Sequence, residues 1–448
     1  MIITNLDSHE MPFLFPTQRI REEREGGQLF DPMSGHLSYL SEFELANWRN
    51  RAVNDPRIVY FAARNWSTQP LAEGCCSSPV RVYLEVTQSC NLSCIMCYRA
   101  AGNKASNELG TLDMLRLIRN LAMRGVHELR ITGGEPTTRP DLLELIDAAI
   151  SNGLYVSLGT NGIWPAGIAA SLLKRPIGRY LVSLEGVQGV NDLLRGSGSF
   201  APTIQTIDRL IAAGKSVRVN TMLTRSTLQQ LPELVALCAA HHVKYMALIP
   251  PRPAGRAVAK PFAAEMPSHK DMEMAAHLVA PLFQEYDVRI EYEYNIYQPH
   301  GTGQASDPVL SKVTGCPAGR EAAFISPTGW LYACGCSPGG SPNATKRAPF
   351  AAGNVAHRDA ASIWRAWQLS VVWQPFRDFR KSKDPACFRC DHYGRGCFGS
   401  CPVHAYISNG AFNAPDPLCW IRDNIMAHSS EADTNDSTFF NKEAACST

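Results

Sequence analysis

The sequence predicts an α/β protein: six βα units building a parallel sheet over residues 79 to about 255, followed by a cysteine-rich C-terminal domain. Two observations predict it. Short apolar runs alternate with helix-like segments over that span, which is the mark of parallel βαβ units. Beyond residue 300, eight of the chain's 15 cysteines fall into a spaced array. The 448 residues suffice for two or three domains with sizeable cores. A hydrophobic share of 45% and a net charge of +2 describe an ordinary soluble chain. No basic run argues for a nucleic-acid partner, and no apolar stretch approaches the length of a membrane span.

The elements follow in order. In the N-terminal region, residues 1–78, Gly26 to Leu40 reads as a hairpin: two apolar strands around a Pro/Gly turn, followed by a helix-like segment from Glu42 to Arg51. Strands are expected near 82–86, 128–132, 154–158, 179–184, 216–223 and 244–249, and helices near 112–124, 141–152, 202–213 and 229–241. Thr111 stands as a capping residue ahead of the helical apolar spacing that begins at Leu112. The tail, 429–448, is dominated by Ser, Thr, Asn, Asp and Glu and reads as disordered.

The chemistry starts with Cys90-x3-Cys94-x2-Cys97, on the loop leaving the expected strand Arg81 to Val86. Three thiolates so spaced can hold three irons of a cubane cluster and leave the fourth iron open to a substrate or cofactor. A zinc knuckle short of one ligand is the plainer reading of the same residues. Gly133-Gly134-Glu135-Pro136 follows the next expected strand, where adjacent glycines admit close backbone approach and a carboxylate can meet an ammonium. Thr160-Asn161-Gly162 ends the strand after that. Ser183-Leu184-Glu185-Gly186 ends the fourth, with Arg195-Gly196 beyond.

These four stretches, in this order, resemble the signature of the radical S-adenosylmethionine (SAM) enzymes. The resemblance implies a partial, TIM-like (β/α)6 barrel over residues 79–300, open at one side. It implies a catalytic, SAM-binding [4Fe–4S] cluster on Cys90, Cys94 and Cys97. Gly133, Gly134, Glu135 and Pro136 would hold the amino group of SAM; Asn161, Ser183, Glu185 and Arg195 would contact its ribose and carboxylate. The residue before the third cysteine is usually aromatic in the family and here is Met96, so Met96 or Tyr98 would cover the adenine. Pro251-Arg252-Pro253-Ala254-Gly255-Arg256 is similar to a basic Pro/Gly segment of related enzymes. Its two arginines would meet SAM or a substrate carboxylate, or lie in a solvated loop.

The C-terminal array reads Cys316-x12-Gly329-x4-Cys334, then Cys387-x2-Cys390-x6-Cys397-x3-Cys401, then x17 to Cys419. It resembles the SPASM extension, here residues 301–428, with six residues rather than five before Cys397. That implies two auxiliary iron–sulfur clusters. One takes Cys387, Cys390, Cys397 and Cys419. The other takes Cys316, Cys334 and Cys401, its fourth position filled by Cys336 or left open to substrate. Zinc uses Cys-x2-Cys as well. A disulfide framework needs a secreted context, and Met1 to Glu10 has neither the basic start nor the apolar core of a signal peptide. So many thiolates belong in the cytoplasm. Cys75, Cys76, Cys238 and Cys446 carry no ligand spacing.

Three [4Fe–4S] clusters and SAM are thus the expected cofactors, fed by an external one-electron donor such as flavodoxin or ferredoxin. The implied activity is that of an oxidoreductase: reductive cleavage of SAM to a 5′-deoxyadenosyl radical, which abstracts hydrogen from an unactivated carbon. SPASM proteins most often resemble maturases that cross-link ribosomally made peptides, and the hairpin-plus-helix order resembles their leader-recognition domains as well as a plain cap on the barrel. A small-molecule dehydrogenase or a sulfatase maturase is the alternative, although sulfatase maturases place an aspartate where this chain has Gly335. A non-catalytic electron carrier would not need the intact Gly133–Pro136 motif.

Overall fold

The computed structural model describes residues 18–62 (24 and 33 excepted), 75–292, 316–337, 350–378, 384–390, 393 and 399–419. Cys397, Cys446 and the tail 429–448 lie outside them. The strands are β1 (Gln18–Glu22), β2 (Gly27–Asp31), β3 (His36–Leu40), β4 (Ile58–Phe61), β5 (Arg81–Glu85), β6 (Glu128–Thr132) and β7 (Tyr155–Thr160). They continue with β8 (Arg179–Ser183), β9 (Val217–Met222), β10 (Tyr245–Ile249), β11 (Arg289–Tyr292), β12 (Ala322–Ile325), β13 (Trp330–Tyr332) and β14 (Ala351–Asn354).

The core is one ten-stranded sheet in the order β11-β10-β9-β8-β7-β6-β5-β12-β13-β14, open at both ends. The strands from β5 to β11 run parallel, each beside its neighbour in sequence. All six expected strands are present, within two residues of the expected bounds. The sheet is wider than expected. β11 adds a parallel strand at one edge, and the cysteine-rich region adds β12 parallel to β5, then β13 and β14 antiparallel.

The strands alternate rather than reading as continuous apolar runs. Val82, Leu84, Leu129, Ile131, Val156, Leu158 and Val182 join the main core, into which the helices Thr111–Met123 and Leu142–Ser151 send Met114, Leu117, Ile118, Leu145 and Ile146. The intervening positions are polar, and Glu128 pairs with Arg81 at 2.5 Å and with Arg130 at 3.2 Å. The helix expected at 112 begins at Thr111 itself. Gly110 occupies its cap position and supplies no side chain, so Thr111 is not the capping residue.

The N-terminal hairpin forms as expected, with β2 antiparallel to β3 and the helix Glu42–Asn54 behind it, started by a Ser41–Glu44 capping box. Two strands were not legible: β1, antiparallel to β2, and β4, parallel to β1. The β1 sequence QRIRE places Arg19 and Arg21 in buried positions. Arg19 donates to the carbonyls of Ala122, Val126 and Asn152, and Arg21 to those of Pro79 and Gly125. These carbonyls lie on the helix ends and loops that lead into β5, β6 and β7. Phe30 stacks on His127 at 4.7 Å and meets Tyr155 edge-on. The N-terminal sheet therefore seals the end of the main sheet where the strands begin, away from the cysteine loop that leaves β5.

Tyr39 donates to Glu321 Oε1 at 2.9 Å, while Glu321 Oε2 is buried without a hydrogen bond. Burial pushes the Glu321 carboxyl up to about 7, against the pull of that bond and the nearby arginines. The folded chain then keeps a proton that the unfolded chain releases near pH 4.5, so stability falls as pH rises from about 4.5 to 7. The loss is at most about 3 kcal/mol. Denaturation midpoints at pH 5 and 7 are expected to differ in the wild type, and Glu321→Gln is expected to remove most of the difference.

Candidate functional site

The cysteine loop follows β5 and is wrapped by its own backbone: Cys90 N donates to Gly102 O, Cys97 N to Cys94 O and Ala100 N to Cys97 O. Glu108 fixes its entry, accepting from Gln88 N at 2.7 Å and Thr87 Oγ1 at 3.0 Å. The Gly133–Gly134 turn lies directly on this loop. A Cβ at Gly134 would stand 2.2 Å from Ser89 O and one at Gly133 2.7 Å from Thr87 O, so only glycine fits at both positions.

Glu135 is buried at 0% exposure. Its carboxylate accepts from Thr137 N and Oγ1, from Asn161 N and, with both oxygens, from Thr160 Oγ1. Burial raises its pKa, and those donors oppose the rise. Glu135 thus ties the end of β6 to the end of β7. Pro136 opens the short turn that follows. Asn161 sends its amide to Asn91 Oδ1 at 2.7 Å, beside Cys90 Sγ at 4.0 Å. The four sequence stretches converge here, as the strand order requires.

Ser183 ends β8, half-buried. Glu185, just beyond, accepts from Met222 N at 2.6 Å and from Arg195 Nη1 at 2.7 Å. Both members of that ion pair are buried, and Arg195 Nε has no partner. Burial raises the Cys94 thiol's pKa, and the Arg195 guanidinium opposes it. Cys90 is pushed up to about 11, chiefly by burial, with Glu135, Cys94 and Cys97 adding to the rise. Three mutually sensing thiols therefore sit with a fixed cation that still has a donor to offer.

Among the described residues no three His, Cys, Asp or Glu side chains converge as the ligands of a single ion do. No two described cysteines are joined in a disulfide. The donor set, three thiols beside a buried unsatisfied guanidinium N–H, fits a cluster whose remaining iron is met by an anionic ligand.

Arg252 and Arg256 are not in a solvated loop. Arg256 donates to Cys94 O at 2.8 Å and Ala101 O at 2.7 Å, and its own N–H to Cys97 O. Gly255, at φ +60°, lets this segment lie against the loop, since a Cβ there would stand 2.4 Å from Tyr98 O. Met96 packs with Leu194, Ala257 and Phe262. Tyr98 lies toward the second cysteine group: its phenol is pushed far up by burial, with Cys336 and Cys334 among the charges that reach it.

That second group joins Cys316, Cys334, Cys336 and Cys401. Cys336 N donates to Cys334 Sγ at 3.4 Å, and Cys316 acts electrostatically on both Cys334 and Cys401. The bond shared with Cys334 pulls Cys336 down to about 6, against burial and helped by Arg252, His404 and Arg99. Arg252 Nη1 meets His404 Nε2 at 2.7 Å, and His404 Nδ1 lies 3.3 Å from Asp416 Oδ1. Asp416 also accepts from Cys401 N and Leu418 N. Burial would raise Asp416, but His404 and these donors hold it at about 2. Cys387 lies within the turn Pro385–Arg389 and Cys390 caps its end, and Cys419 N donates to Asp416 O.

Sequence reasoning missed Arg99, His404 and Asp416. Glu85, an acid at the end of a buried strand, was the one signal of a buried cationic partner: Arg99 donates to both its oxygens.

A model of the radical SAM superfamily matches residues 84–238, and one of the SPASM iron–sulfur cluster-binding domain matches residues 316–391. The mycofactocin maturase MftC of Mycolicibacterium smegmatis (strain ATCC 700084 / mc(2)155) is 30% identical over 348 residues, 76% of this chain and 83% of the relative. An AdoMet-dependent heme synthase of Methanosarcina barkeri (strain Fusaro / DSM 804) is 25% identical over 371 residues, 77% and 97%. Streptococcus suis SuiB, solved bound to the precursor peptide SuiA, superposes with a TM-score of 0.66 at 18% identity, covering 90% of this chain and 98% of that one. Among the described residues no helix is long and apolar enough to cross a membrane.

Proposed function

The chain belongs to the radical SAM superfamily and carries a SPASM domain, and from that premise we propose that this enzyme oxidatively cross-links a ribosomally made peptide. The observation that carries the SAM site is Arg195: a buried guanidinium fixed by Glu185 beside Cys94, with Nε still to be satisfied. Relatives named as a mycofactocin maturase and a PqqA peptide cyclase, and the sheet-and-helix module of residues 18–61, support the peptide reading.

Cys90, Cys94 and Cys97 would hold the first [4Fe–4S] cluster. When bound, that cluster and SAM supply a carbon radical able to take hydrogen from an unactivated position. The chain's own residues hold and align. Arg195 would bind the SAM carboxylate, and Ser183 and Asn161 would contact its ribose. Gly133, Gly134 and Pro136 present the β6 loop, which would hold the ammonium, and Glu135 keeps that loop in place. The cysteine loop, strapped by Arg256, sets where the reacting carbon must lie. Cys316, Cys334, Cys336 and Cys401 would hold a second cluster; Cys387, Cys390, Cys397 and Cys419 would hold a third. Electrons would come from a flavodoxin or ferredoxin in the cytoplasm. The module of residues 18–61 would grip the leader of the peptide.

Coexpression with a short peptide encoded beside the gene, followed by mass spectrometry, tests this. The expected product is lighter by two hydrogens. A product heavier by a methyl group, or an unchanged peptide alongside oxidation of a small carbinol, would sink the proposal.

A further inference from the structure

Two arginines from separate segments reach the second cysteine group, and neither is accounted for by SAM binding. Arg99 lies two residues past Cys97. It donates to both oxygens of Glu85 and to Gly335 O at 3.3 Å, the carbonyl between Cys334 and Cys336, while its guanidinium lies 4.8 Å from the centre of the Phe324 ring. Arg252 precedes by four residues the arginine that straps the first loop, and it is 3% exposed. It is held in line by His404, three residues past Cys401, and His404 in turn by Asp416.

Both guanidiniums act on Cys336. Arg99 is paired directly with Glu85 and reaches the Gly335 carbonyl between two of the cysteines, and Asp416 is one imidazole removed from Arg252. The two cations are therefore each fixed by a protein partner beside the second cysteine group.

Resting on the iron–sulfur reading of these cysteines, we infer that Arg99 and Arg252 are positioning residues that raise the electron affinity of the second cluster and lock it to the loop of the first. A cluster gains one negative charge on reduction, and fixed cations at its ligands favour that state in a buried, weakly screened site. Both contacts also bind the second group to the first loop, through residue 99 on one side and the Pro251–Arg256 segment on the other. One pair of side chains thus serves spacing and potential together.

The test is an EPR-monitored redox titration of the anaerobically reconstituted full-length protein. Arg252→Met is expected to shift the second cluster's reduction equilibrium at least tenfold toward the oxidised form, about 59 mV for a one-electron couple. The first cluster should stay where it was. Arg252→Lys, which keeps the charge, is expected to restore most of the shift. Arg99→Lys is expected to keep the potential but broaden the signal, because a point charge replaces the fork that grips Glu85 and Gly335.

Unchanged potentials in Arg252→Met at full iron content would overturn the inference, as would equal shifts in the Met and Lys variants. Should Arg252→Met lose iron, His404→Asn decides, because it leaves the cation in place but unheld: a shifted potential supports the inference and an unshifted one overturns it. If the wild type itself shows no second cluster signal, it is the iron–sulfur reading that fails.

Discussion

Cys94→Ala is expected to abolish conversion of SAM to 5′-deoxyadenosine under dithionite and, with Cys90 and Cys97 also replaced, to lower iron from about 12 to about eight per chain. The loss should be chemical rather than structural. The backbone carbonyl of Cys94 is held by Arg256, and neither the wrapping of the loop nor the Gly134 contact uses its thiol. What disappears is one ligand and the thiolate facing Arg195. The thermal midpoint of the apoprotein should therefore match the wild type. Residual SAM cleavage above the level of the triple variant would contradict the assignment of this loop.

Glu135→Ala should be the most damaging change that touches no metal ligand. It strands two buried backbone N–H groups, of Thr137 and Asn161, together with the hydroxyls of Thr137 and Thr160. An unsatisfied buried donor costs roughly 1–3 kcal/mol. A net loss near 3 kcal/mol would lower the thermal midpoint by about 3 °C in a chain of this size. Glu135→Gln is not a mild replacement. Both carboxylate oxygens accept from backbone N–H groups, so whichever way the amide turns, an NH2 faces a donor. Both variants are expected to weaken SAM binding tenfold or more in equilibrium titration. A stable Glu135→Ala protein with wild-type affinity for SAM would show that the β6–β7 tie does not set the site.

The six parallel strands were legible because each carries apolar residues at every second position and is followed by a helix-like segment. β1 was not. Its buried arginine positions look like surface until their partners on other segments are known, as Arg19 does before its three carbonyls are found. The first cysteine group was legible because its ligands lie within eight residues of one another. The setting of the second was not. Arg99 and Gly335 are 236 residues apart, Arg252 and His404 are 152 apart, and no local pattern announces either contact. Tyr98 illustrates the limit: spacing puts it next to Cys97, but which group its ring faces is decided by β12 packing against β5.

The seal made by β1 to β4 on the entering ends of β5, β6 and β7 imposes a length rule on any precursor gripped there. The cysteine loop leaves β5 at its other end, and a five-residue strand spans about 16 Å. A tether must cover at least that distance and then round the rim, so no fewer than about five extended residues can separate the gripped segment from the reacting one. Below that length the two ends cannot be engaged at once and the gain from tethering vanishes abruptly, whereas lengthening the spacer erodes it only gradually. The module would act as a ruler with a hard lower stop, selecting precursors by the interval between address and target rather than by the target's own sequence.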